Sequence, residues 1–250
     1  MQAYWTLTRR ELGGFFVSLT GYLIIAAAAF LMGLSWVVMV EQLQSEPTPQ
    51  PVTQLYYSTQ YFWLILLLAT PVITMRLFAL EKYSGTFETL MTTPVSELQV
   101  VLAKFTAALV FYVLLWLPSL GCILILRQFI NDPAALDTGL LGSTFLGIFL
   151  LGCLFMAMGC LASAMTRSQI TAAMTSFTLG CTLFLLSFLP GRWAVVAGWQ
   201  NDLLSHIALF DHMNDFARGL VDFRHVVFYL SLTVFFLFLT LRVVESRRWK

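Results

Sequence analysis

Six long stretches of this 250-residue chain contain no Asp, Glu, Lys, Arg or His: approximately 15–40, 55–75, 105–126, 139–165, 170–189 and 226–241. Charged residues make up only 11% of the chain and mean hydropathy is +0.81. A soluble domain carries about 25% charged residues, so this scarcity excludes a water-soluble fold. An uncharged run of about 20 residues crosses a hydrocarbon core roughly 30 Å thick as a helix. The expected fold class is an all-α integral membrane protein, six transmembrane helices forming one domain over 1–250. The first run is too long for a cleaved leader and has no clear small-residue cleavage site.

Other shortages narrow the chemistry. There are three lysines, Lys82, Lys104 and Lys250, and none follows a glycine. The chain therefore cannot cradle nucleotide phosphates with a Gly-Lys loop. The four cysteines, Cys122, Cys153, Cys160 and Cys181, all fall in apolar runs, as small packing residues do. The three histidines, His206, His212 and His225, are scattered in sequence and form no ligand set with them. No nucleophile–base arrangement presents itself, so we expect no catalytic residue, no metal and no cofactor bound by this chain. A membrane-embedded transferase would need clustered carboxylates or histidines near a span end. Only His206, Asp211, His212 and Asp215 come close.

The charges that are present are asymmetric. With both termini on the cytoplasmic side, that side receives Arg9, Arg10, Arg76, Lys82, Lys104, Arg167, Arg242, Arg247, Arg248 and Lys250. The other side keeps Arg127, Arg192, Arg218 and Arg224. Ten against four is the positive-inside bias. It places the chain as a multi-pass membrane protein with both termini on the cytoplasmic side. Trp36, Trp63, Trp116, Tyr22, Tyr61 and Tyr112 sit near span ends, where interfacial anchors are expected. Pro71 and Pro118 lie within spans and predict kinks.

The most punctuated connector joins the second and third spans, "RLFALEKYSGTFETLMTTPVSELQVVLAK" at 76–104. Gly85 interrupts the helix leaving span two, and Pro94 forbids helix continuity again. Between them TFETLMTT makes about two turns, with Glu88 near the N-terminus, where the dipole favours negative charge. Ser96 and Gln99 form a capping box, with Val95 and Val100 at staple positions, starting a new helix. Phe87, Leu90 and Met91 put apolar bulk on the short helix. Two readings stay open: docking into a partner's groove, or packing on the chain's own helix ends or in lipid headgroups.

From Glu81, the string E-x-x-x-G-T-x-E-x-L, then T-x-P-V-S and a later Lys, resembles the coupling-helix region of bacterial type-2 ABC exporter permeases. The N-terminal RRELGGFFVSLTGYLIIA and the block from His212 to Trp249 resemble the same family, closest to its gliding-motility (GldF-like) permeases. The chain departs from the pattern at Leu80–Glu81, where paired acids are common, and at Ser18–Leu19, where Ser-Pro is common. The resemblance implies a permease subunit that forms the translocation path, pairs with a second copy or paralogue, and binds a separate ABC ATPase carrying ATP and Mg. A large auxiliary membrane protein is a further implied partner; nucleic acid is not. By this resemblance Glu81, Lys82, Gly85, Thr86, Phe87, Glu88, Leu90, Met91 and Pro94 form the ATPase-coupling element. Gly85 and Pro94 would set its angles, and Phe87, Leu90 and Met91 would fill the ATPase cleft. Glu81, Lys82 and Glu88 would fix its register.

In span five, Thr171, Thr175, Thr178 and Thr182 recur at i, i+4, i+7 and i+11, one continuous stripe on a helix face. It is either the translocation path or dimer seam, or a row of hydroxyls bonded back to their own helix. Gly152, Gly159 and Ser163 form a small-residue track in span four, read as close helix packing. Residues 201–222 repeat Leu203, Ile207, Phe210, Phe216 or Ala217, and Leu220 at helical period. They predict an amphipathic outer helix before span six, approached by Trp193 and Trp199. Residues 1–14 make a weaker case of the same kind, with Trp5 and Leu12 at the inner interface. Charge-free spans argue against ion- or proton-driven coupling, which needs ionisable groups at membrane depth. The alternative to a transporter subunit is a non-transporting scaffold whose ATPase drives mechanical or assembly work.

Overall fold

The computed structural model describes residues 2–45, 51–91, 95–129, 138–188 and 206–246. Among these there is no strand. The helices are α1 (Gln2–Val17), α2 (Leu19–Ser45), α3 (Val52–Ser58), α4 (Gln60–Thr74), α5 (Ala79–Ser84) and α6 (Thr86–Met91). They continue with α7 (Glu97–Phe129), α8 (Thr138–Met165), α9 (Gln169–Leu186), α10 (Leu209–Ala217) and α11 (Phe223–Ser246). Six segments are long and apolar enough to cross a membrane: Leu19–Gln44, Gln60–Ser84, Glu97–Leu126, Gly139–Met165, Gln169–Leu186 and Phe223–Ser246. The protein is an all-α membrane protein.

Two apolar runs are divided where the sequence shows no proline. The first breaks at Ser18, so Phe15, Phe16 and Val17 belong to α1 rather than to the first span. Gly21 permits this elbow: a Cβ there would lie 2.0 Å from the Phe15 carbonyl oxygen. The second run breaks at Thr59, whose backbone is extended (φ −68°, ψ 135°). Its hydroxyl pairs with that of Ser35 at 2.8 Å and donates to the Tyr56 carbonyl at 2.6 Å. Those bonds hold buried polar groups that would otherwise be unpaired in hydrocarbon.

Helix α8 is the hub, packing against α4, α7, α9, α10 and α11, while α1 lies along α7. In its most apolar window 78% of residues are buried inside the chain; for α9 and α11 the figure is 17%. α9 and α11 therefore form the periphery. The small-residue track explains how α8 is approached. A Cβ on Gly152 would lie 2.2 Å from the Tyr112 ring, and one on Gly159 2.2 Å from Thr74 Oγ1.

Most of the aromatic residues expected as interfacial anchors are internal instead. Trp36, Trp63, Trp116 and Tyr112 are all buried. They belong to a continuous ring cluster in which Trp116 packs on Phe62 (centroids 5.1 Å) and Tyr112 (6.1 Å), and Trp63 on Phe184 (5.0 Å). Sequence position fixes the depth of such a ring, not whether its helix face meets lipid or a neighbour. Tyr22 does face outward.

Candidate functional site

The connector between spans two and three is built from three interruptions. After Thr74 the chain turns through Met75–Phe78 before α5 resumes. Ser163 of α8 repairs this break: its hydroxyl accepts from the Phe78 and Ala79 amides (3.0 and 3.1 Å) and donates to the Met75 carbonyl (3.2 Å). In the sequence Ser163 belongs to a small-residue packing track, and no local signal marks this second role, because the partner is 85 residues away. The second interruption is Gly85, left-handed at φ 75°, which ends α5. L-residues with a side chain rarely adopt that conformation. The third precedes α7, where the Gln99 amide donates to Ser96 Oγ (3.3 Å) and the Ser96 amide to Gln99 Oε1 (3.4 Å). This reciprocal pair is the capping box expected from the sequence.

Between these breaks, the side chains of α5 and α6 divide by face. Lys82 is buried; its ammonium donates to the Ala164 carbonyl and lies over the Phe87 ring, 5.2 Å from the centroid. Phe87 is itself only 7% exposed. It points into the chain, so its immediate role is to seat α6 on the bundle. Gly85, Thr86 and Glu88 are exposed, and Thr86 Oγ1 pairs with Ser84 Oγ at 2.9 Å. The side chains of Leu90 and Met91, and Pro94 altogether, lie outside the described residues.

Glu81 joins a four-charge network across three helices. Its Oε1 lies 2.9 Å from Lys104 Nζ of α7 and 3.0 Å from Arg10 Nη2 of α1. Glu11 Oε1 meets the same two cations at 3.1 and 2.8 Å. The Lys104 side chain is 2% exposed, and its ammonium also lies 5.5 Å from the Phe78 ring centroid. Burial alone would raise the Glu11 pKa, but Lys104 and Arg10 outweigh it, and the carboxyl is held below its ordinary 4.5. Arg10 is raised, chiefly by its hydrogen bond to Glu11. Two carboxylates thus meet here from different helices, Glu81 from α5 and Glu11 from α1. The network borders an open cavity of about 550 Å³, which Arg76 and Thr86 also line.

The threonine stripe faces away from the chain's own bundle. α9 packs inward through Ala172, Ser176 and Gly180, while Thr171, Thr178 and Thr182 are exposed and Thr175 half-buried. Their hydroxyls bond along the helix: Thr175 to the Thr171 carbonyl (2.8 Å), Thr178 to Met174 (2.8 Å) and Thr182 to Thr178 (2.7 Å). Self-bonding and outward orientation coexist.

At the opposite end of the bundle, α10 is amphipathic and seated on protein. Its buried face is Leu209, His212, Met213, Phe216 and Ala217. Ser143 donates to the Phe216 carbonyl (2.7 Å), Thr53 to the Ala217 carbonyl (2.8 Å), and Ser187 accepts from the Phe210 amide (2.8 Å). The helix stops at Ala217, with Gly219 at φ 84° beyond it, and Leu220 is exposed rather than part of the apolar face. Leu203, Trp193 and Trp199 lie outside the described residues. Two of the histidines read as scattered come together: His212 and His225 stack with centroids 3.9 Å apart. Burial pushes the His212 pKa down to about 4. Among the described residues no group of three or more His, Cys, Asp or Glu is arranged to hold a metal ion.

No curated protein matches the chain. Residues 20–191 match the family described as ABC-2 family transporter protein. More than half of the 250 residues are covered, and the six apolar segments of membrane length agree with a membrane component. The chain belongs to the ABC-2 transporter family, as an ABC permease subunit.

Proposed function

We propose that this chain is one half of an ATP-driven transporter, a single permease domain over 1–250 that couples its spans to a separate ATPase subunit through α5 and α6. The observation that carries this reading is the joint itself. Its outer face, Gly85, Thr86 and Glu88, is exposed, while its inner face is tied through Lys82, which lies over Phe87, to α8 and through Glu81 to α1 and α7. A push on α6 is thus delivered to three helices at once. Bistable packed elements transmit such displacements, whereas a solvated loop absorbs them.

By the sequence resemblance Leu90, Met91 and Pro94 belong to the same ATPase-coupling element, and Phe87 acts from beneath as the seat. ATP and Mg belong to the partner. A second copy or a paralogue completes the complex, with the threonine stripe of α9 at the translocation path or the dimer seam. That assignment is supported by the outward orientation of Thr171, Thr178 and Thr182. The ten-to-four basic asymmetry supports both termini on the cytoplasmic side of an inner membrane. The gliding-motility subgroup and its large auxiliary membrane protein rest on the two terminal sequence blocks, which extend beyond the matched residues 20–191.

Co-purification tests the coupling surface. Glu88→Arg and Leu90→Asp should each abolish recovery of the ATPase with the tagged permease while leaving membrane insertion intact. Wild-type recovery and wild-type stimulated ATP turnover in both variants refute the assignment.

A further inference from the structure

The cavity beside the joint carries more positive charge than its own acids neutralise. Glu11 and Glu81 are matched by Arg10 and Lys104 in the four-charge network. Arg76, which lines the same cavity, forms no ion pair among the described residues. Its Nη1 donates to Ser18 Oγ at 2.8 Å and to the Thr20 hydroxyl. Among the described residues no protein acceptor meets its Nε or Nη2. A planar guanidinium edge of this kind matches two oxygens of a phosphate or carboxylate. At about 550 Å³ the cavity has the size of a small-ligand site.

The surroundings specify the source of the anion. Ser18 is the elbow between α1 and α2, and the apolar membrane-length segment begins at the next residue, Leu19. Arg76 therefore sits at the hydrocarbon boundary, where phosphates of one leaflet lie whichever way the chain is oriented. Val17, Leu19 and Leu23, on either side of the two hydroxyls, are 88%, 82% and 68% exposed. Acyl chains can lie on these residues while the headgroup reaches Arg76. We propose that this cavity binds the phosphodiester headgroup of an anionic phospholipid, with Arg76 as its principal ligand and Ser18 and Thr20 orienting the guanidinium. A bound headgroup bridges the α1–α2 elbow and the turn before α5, so it stabilises the assembled joint.

Native mass spectrometry of the delipidated, detergent-purified permease tests this directly. The probes are phosphatidylglycerol, phosphatidylcholine and inorganic phosphate, added separately. Wild type is expected to retain phosphatidylglycerol in preference to phosphatidylcholine, and Arg76→Gln to retain about tenfold less, the effect of one charge-assisted pair. Arg9→Gln, at an exposed arginine that does not line the cavity, should behave as wild type. Equal retention by Arg76→Gln and wild type overturns the site. Displacement of the lipid by inorganic phosphate at equal concentration overturns the lipid and leaves a free-phosphate site; equal retention of phosphatidylcholine overturns the charge argument. If Arg76→Gln does not fold, the double variant Ser18→Ala/Thr20→Val reads the same cavity with Arg76 present. It should lose about threefold, and unchanged retention again refutes the proposal.

Discussion

Lys104 of α7 and Glu81 of α5 meet at 2.9 Å, with the lysine almost wholly enclosed. The contact joins the third span to the helix that follows the second, and Arg10 and Glu11 extend it to α1. Removing one member of a buried ion pair leaves its partner charged and poorly solvated.

Lys104→Met should therefore destabilise the solubilised protein by about 3 kcal/mol, read as a fall in midpoint in thermal unfolding. Glu81→Gln added to it should recover part of that loss, because it removes one of the two stranded carboxylates. Additive losses in the double-mutant cycle mean that the two side chains do not interact.

Gly159 and Gly13 give opposite expectations for the same substitution. A Cβ on Gly159 would overlap Thr74, whereas one on Gly13 meets nothing within 4 Å. Gly159→Ala should cost about 1–3 kcal/mol by overpacking. Gly13→Ala, on α1, should be neutral or stabilise by about 0.5–1 kcal/mol through helix propensity. Equal melting temperatures for the two variants contradict the close approach of α8 to α4.

Acid should loosen the packing of α10. His212 faces His225 and Asp222 of the last helix and its approach, and His206 before its own helix, while Asp215, one turn on, lies 3.9 Å from His225. Its folded pKa of about 4 is below the ordinary 6.5. The unfolded chain thus binds the proton more readily, and the stabilisation is present above pH 6.5 and lost as pH falls towards 4. The loss should be of order 1–3 kcal/mol, followed by hydrogen exchange over 209–217. His212→Phe should make protection flat between pH 7 and 5. Glu11 enters only lower, since its depressed pKa keeps its contribution intact above 4.5.

The α9 stripe can be probed by thiol labelling in a background lacking Cys122, Cys153, Cys160 and Cys181. Thr178→Cys lies on the exposed face; Leu179→Cys and Leu183→Cys are half-buried against the core. Thr178→Cys should react faster with a small polar maleimide, and its rate should change when the ATPase partner and ATP are supplied. Uniform, ATP-independent rates at all three positions mean that the stripe faces neither a cavity nor a moving seam.

The sequence determined what local or one-dimensional physics controls. Charge-free runs of membrane length fixed an all-α membrane protein with six crossing segments, since only helices satisfy their own backbone in lipid. Gly85 and the Ser96–Gln99 box were legible as helix boundaries because they act within three or four residues. The amphipathic helix before the last span was legible from its period, though its limits were not.

Tertiary structure alone decided which side of each helix meets protein. Trp36, Trp63 and Trp116 sit at depths suitable for interfacial rings, yet turn inward because neighbouring helices bury more of their surface there. Phe87 faces its own Lys82 for the same reason. The breaks at Ser18, Thr59 and Thr74 carry no strong local signal. They persist because residues distant in sequence complete them, as Ser163 does for Phe78 and Ala79. The Glu11–Lys104–Glu81–Arg10 network spans up to 94 positions of chain. Its members were visible as charges, but only the packing of α1 and α5 against α7 brings them together, where a low local dielectric makes their pairing obligatory.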